Sequence, residues 1–121
     1  MTSDVAPITT TDHGARRSDL RAGYRALHDA LPDQMKGFAD LHRSAVADGV
    51  LPAATKELMA VAIGIALHCD DCVTLHMYDA LRKGATPEEV HETIGVALLM
   101  GGGPASTAAT TALDALAQFS G

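Results

Sequence analysis

The chain has 121 residues and a formal charge of −6, and it is 47% apolar but only 3% aromatic. That length suits one hydrophobic core and not two, and the acidic balance, with no basic run longer than Arg16-Arg17, gives phosphate backbones nothing to bind and argues against nucleic acid. The most apolar run, Leu58 to Leu67, is about half of a bilayer span, and no basic-then-apolar leader opens the chain, so a soluble protein in a reducing cytoplasm is expected.

Residues 1–17 are polar, include Pro7 and Gly14, show no periodicity, and read as a flexible N-terminal arm. Residues 18–121 read as a single all-α domain, a compact bundle of about six helices whose core is built from Ala, Leu, Val, Ile and Met. A first helix is predicted from Ser18 to Leu31, with Leu20, Tyr24, Leu27 and Leu31 on one face, and Pro32 breaks it and starts the next. The second, to about Ala47, turns Met35, Phe38, Leu41 and Ala45 toward the core and stops at Asp48-Gly49. The third, Ala53 to Leu67, is apolar nearly all round after Glu57 and is expected at the centre, enclosed by the others. The fourth, Asp70 to Lys83, buries Val73, Met77, Ala80 and Leu81 and ends at Gly84. Thr86-Pro87-Glu88-Glu89 is a capping box that opens a fifth helix with Val90, Ile94, Ala97 and Leu98 inward. Gly101-Gly102-Gly103-Pro104 ends it, and an Ala- and Thr-rich segment to Phe119 forms a sixth. With so few aromatics, short helices of this kind bury limited area alone, and a homo-oligomer packing through helix faces is expected.

Four residues choose a chemistry. The two cysteines of the chain, Cys69 and Cys72, are separated by two residues, so no wider disulfide framework explains them, and redox work or metal binding remains. On a helix Cys69, Cys72 and His76 follow one another a turn apart along one strip. A tight turn near His68 would fold Glu57 back to within about a turn of His76. An ordinary thiol, with a pKa near ~8.5, is only slightly ionised at neutral pH, and Asp70 and Asp71 oppose ionisation further. An imidazolium about 5 Å away at an effective dielectric of ~20 contributes about 3 kcal/mol, roughly two pKa units. His76 is therefore the expected activator of Cys72, with Glu57 raising its basicity.

The stretch Lys56-Glu57-Leu58 through Cys69-Asp70-Asp71-Cys72 and His76, followed by Gly84-Ala85-Thr86-Pro87-Glu88-Glu89-Val90, resembles the carboxymuconolactone decarboxylase superfamily, and more narrowly its AhpD-like alkylhydroperoxidase core, from about Leu41 to Pro104. The resemblance implies an all-helical fold, thiol-dependent reduction of alkyl hydroperoxides, and trimers or hexamers. It assigns Cys72 as the attacking thiol, Cys69 as the resolving thiol, and Glu57 with His76 as the proton relay. No metal or cofactor is required, but an external dithiol, a lipoyl group or a thioredoxin-like protein, must recycle the pair. In the best-known AhpD proteins a histidine stands just before the second cysteine; here Asp71 does, so His68 and Asp71 are auxiliary candidates.

Three other readings use the same residues: a disulfide reductase serving a partner protein, a lactone enzyme of the decarboxylase type, and a structural zinc module on Cys69, Cys72 and either His76 or His68. His13, His28, His42 and His91 read as surface or helix-end residues. Gly101 to Gly103 lack the Lys-Ser or Lys-Thr of a phosphate cradle and read as a helix stop that permits close backbone packing. Met59, Met77 and Met100 read as core or interface fillers.

Overall fold

The computed structural model describes residues 11–120, and among them five helices and no strand occur: α1 (His13–Ala30), α2 (Pro32–Val46), α3 (Ala53–Ala66), α4 (Asp70–Arg82) and α5 (Pro87–Ser120). The expected all-α class holds with five helices rather than six. The expected sixth segment is the second half of α5, which bends at Gly102 through a non-helical backbone conformation (φ 70°, ψ −160°). Pro104 then falls in the first turn after the bend, where a missing amide costs little.

The first helix begins at His13 rather than Ser18. The Asp12 carboxylate accepts a hydrogen bond from the Ala15 amide at 3.0 Å and caps it, so residues 13–17 are helical; the rest of the expected arm, residues 1–10, lies outside the described residues. α3 begins on Pro52, which has no side-chain acceptor, and Asp48 from the preceding loop accepts from the Ala53 amide at 2.7 Å instead. The Thr86–Glu89 capping box forms in both directions, at 2.8 and 3.1 Å.

Two helix ends share one solution. After α4, the Gly84 amide donates to Leu81 O and the Ala85 amide to Ala80 O, with Gly84 in the left-handed region at φ 108°. After α3, the His68 amide donates to Ile65 O and the Cys69 amide to Gly64 O, with His68 at φ 58°. The second motif puts a histidine where glycine is usual, and it reverses the chain so that Cys69 becomes the N-cap of α4.

The core is Val61 and Ile65 of α3, Val73 and Met77 of α4, and Val90, Ile94, Ala97, Ala105, Ala108, Ala109, Ala112, Ala115 and Leu116 of α5. Small residues on α5 let it lie close to both partners, which is how a chain nearly without aromatic rings fills its interior. Ala80 is fully buried and Leu81 is partly buried against this core, as the α4 pattern predicts, but Leu98 of α5 is exposed.

The hairpin of α1 and α2 departs from expectation. Its apolar stripes exist, but α2 buries no residue and Tyr24, Leu27, Leu31, Phe38 and Leu41 all remain exposed. α3 is likewise not enclosed, since Met59 and Ile63 face outward. The reason is the layout: α3, α4 and α5 pack mainly on one another, and α1–α2 lies beside them. No described helix is long and apolar enough to cross a membrane.

Candidate active site

Glu57 stands in the first half of α3, fully buried, and faces α4. Its Oε1 lies 2.7 Å from His76 Nδ1, and its Oε2 accepts from Lys83 Nζ at 2.6 Å. Burial by itself pushes the Glu57 carboxyl up. The hydrogen bonds from Lys83 and His76, joined by the attraction of their charges, outweigh burial and hold it below the ordinary glutamate value. An ionised carboxylate can only accept, so His76 Nδ1 carries the hydrogen in that bond, and in the neutral ring the lone pair is on Nε2.

One turn before His76, Cys72 is joined to Cys69 in a disulfide with Cα atoms 5.2 Å apart. Cys69 Sγ also accepts the Cys72 amide hydrogen bond at 3.2 Å, so the sulfur serves as the N-cap of α4. Both half-cystines are partly buried, and no free thiol exists among the described residues to ligate zinc. The approach of α4 to α3 here depends on Gly64, where an added Cβ would meet Cys72 Cβ and Val73 Cγ2 at 3.3 Å each.

The four residues singled out by spacing thus lie on the facing parts of α3 and α4. The two auxiliary candidates do not join them. Asp71 makes a two-point ion pair with Arg16 of α1, at 2.9 and 2.7 Å, and the Arg16 hydrogen bond holds its carboxyl below the ordinary value against the opposing effect of burial. His68 is exposed in its left-handed turn, and no hydrogen bond or ion pair links it to Glu57 or His76.

Three residues have roles that the sequence reading did not give them. Lys83 completes the clamp on Glu57; its spacing of seven from His76, two turns along one face, carries that signal. His42 of α2 brings its ring to 5.8 Å from the His76 ring, edge to face. Both line a cavity of about 720 Å³ between the α1–α2 hairpin and α4, with Arg17, Arg21 and Arg25 also on its wall. His13 is the third and corrects its surface assignment. It is buried, with Nδ1 2.9 Å from Thr74 Oγ1 and Nε2 3.0 Å from Asp114 Oδ2, and its amide donates to Gln118 Oε1 at 2.8 Å. It ties the start of α1 to α4 and α5.

Known proteins resemble this chain over most of its length. An uncharacterised protein of Cupriavidus necator is 42% identical over 104 residues, covering 86% of this chain and 92% of its own. An uncharacterised protein encoded in the cox locus of Paracoccus denitrificans is 39% identical over 84 residues, covering 69% of this chain and 76% of its own. Among solved structures, a carboxymuconolactone decarboxylase family protein of Legionella pneumophila superposes with a TM-score of 0.86 at 36% identity, covering 90% of this chain and 97% of that one. A Thermotoga maritima member of the same family, named for a suggested involvement in antioxidative response, superposes with a TM-score of 0.77 at 28% identity, covering 84% and 86%. The family model itself spans residues 32–115, from the start of α2 through Glu57, the cysteine pair and His76 into the last turns of α5, and on that match the chain belongs to the carboxymuconolactone decarboxylase family.

Proposed function

We propose that this protein is a thiol-dependent alkyl hydroperoxide reductase of the AhpD-like type, working through Cys72 and Cys69 with Glu57 and His76 as its proton relay. The observation that carries the reading is the buried Glu57 carboxylate paired with a half-buried His76, set one helical turn from a Cys-x-x-Cys disulfide. With Oε2 held by Lys83, the other carboxylate oxygen, Oε1, accepts from the imidazole that must take up the thiol proton. The suggested antioxidative role of the Thermotoga maritima relative points the same way.

In the reduced protein His76 accepts the proton of Cys72. The thiolate attacks the terminal peroxide oxygen, the O–O bond breaks, and the leaving alkoxide takes the proton from His76 as an alcohol. The sulfenic acid on Cys72 is attacked by Cys69, a disulfide forms, and water leaves. Two electrons have passed from the thiol pair to the hydroperoxide, and an external dithiol, a lipoyl group or a thioredoxin-like protein, returns them by exchange. A trimer or hexamer in the cytoplasm is part of this proposal by family resemblance, and the exposed apolar side chains of α1, α2 and α3, together with Leu99 and Met100, offer surface for such an assembly to cover.

The test is the rate at which pre-reduced protein loses both thiols to one equivalent of an organic hydroperoxide. Fast loss as an intramolecular disulfide, abolished in Cys72→Ser and well above free glutathione, is expected. A rate equal to glutathione would overturn the peroxidase reading.

A further inference from the structure

We propose that His42, Glu57 and His76 form a binding site for one divalent first-row transition-metal ion, beside the disulfide and independent of its sulfurs. Three separate helices, α2, α3 and α4, supply the residues, and each offers a ligand atom within 4.8 Å of the other two. Two imidazoles and one carboxylate are the donor set of borderline ions such as Zn²⁺, Co²⁺ and Fe²⁺, and are too nitrogen-rich for Mg²⁺ or Ca²⁺.

The geometry is close to a ligated state without being in it. Such ions hold nitrogen and oxygen at about 2.0–2.2 Å, so the three atoms must draw in by roughly an ångström toward a common centre. His42 is the one free to move, because it is exposed on a helix that buries no side chain, whereas Glu57 is fixed by burial; His76 donates from Nδ1 to Glu57, so ligation replaces that hydrogen bond and releases its proton. Entry and open coordination positions are provided by the cavity of about 720 Å³ that both histidines line. Lys83 competes: its ammonium occupies Oε2 and leaves Oε1 on the side of the histidines. The same clamp that keeps Glu57 ionised therefore also weakens the site, and removing Lys83 separates the two roles.

The experiment uses the full chain with its disulfide intact, so that no thiolate is available, and titrates Co²⁺ by calorimetry and visible absorption, with Zn²⁺ as competitor. One saturable site per chain is expected, with visible bands that Zn²⁺ removes. His42→Ala, which alters an exposed side chain, is expected to weaken binding by more than the roughly 10- to 100-fold that loss of an outer-sphere partner costs. Lys83→Met is expected to tighten it while slowing thiol oxidation in the reduced protein. Binding unchanged by His42→Ala and Glu57→Gln would mark an adventitious ion only and overturn the proposal. So would binding that appears only on reduction and is lost in Cys69→Ser. Metal binding is read on the oxidised protein and thiol oxidation on the reduced protein, so failure of the metal site and failure of the peroxidase reading are distinguishable.

Discussion

Asp71 shows how a partner brought in by the fold bears on an effect read from sequence neighbours alone. From the sequence, a carboxylate beside Cys72 opposes thiolate formation. In the folded chain Arg16 neutralises it with two hydrogen bonds, so the repulsion is offset by a residue 55 positions away. Arg16→Ala should therefore slow oxidation of the thiols by hydroperoxide a few-fold, measured against wild type at neutral pH. The pairing lowers the Asp71 pKa, so its contribution to stability is fully present above the ordinary aspartate value near ~3.9 and fades as pH falls through the lower folded value. Thermal unfolding of wild type and Arg16→Ala should accordingly differ at pH 7, differ less at high salt, and converge in acid. A difference that widened in acid would contradict the assignment.

At the scale of elements, the turn from α3 to α4 places the chemistry, and it does so with a histidine in a conformation that costs an L-residue about 1–2 kcal/mol. His68→Gly should relieve that and raise the unfolding free energy by about 0.5–1 kcal/mol in urea titration, with little effect on thiol reactivity because His68 does not reach Glu57 or His76. A loss of stability would mean that its side chain holds the turn. This turn also explains what the sequence discloses and what it conceals. Glu57 and His76 are legible as neighbours because their helices are consecutive and the reversal between them is short, which fixes register within a turn. Lys83 is legible in principle by the same helical periodicity. His42 is not, because the placement of α2 against α3, from which His42 reaches His76 of α4, depends on packing that no local pattern encodes. The apolar stripes of α1 and α2 are real, but periodicity says only which face is apolar and not whether the same chain covers it.

For the whole molecule, the division between α3–α5 and the α1–α2 hairpin matters most. The first group holds the apolar core, and the second is fastened largely by a buried polar cluster, His13 with Thr74, Asp114 and Gln118, assisted by Arg16 with Asp71. His13→Ala leaves a buried carboxylate short of a partner and should lower stability on the order of 2–3 kcal/mol, read by chemical denaturation; a loss near zero would show that α1 is held by other contacts. This mode of attachment makes detachment thermodynamically quiet. Because so much apolar surface on the hairpin is already in contact with water, releasing it exposes little more, so the change in heat capacity and in denaturant sensitivity is small. In the single chain, an opening that uncovers the Glu57–His76 pair would thus leave almost no trace in a denaturation slope, and amide hydrogen exchange in α1 and α2 would be the observable that registers it.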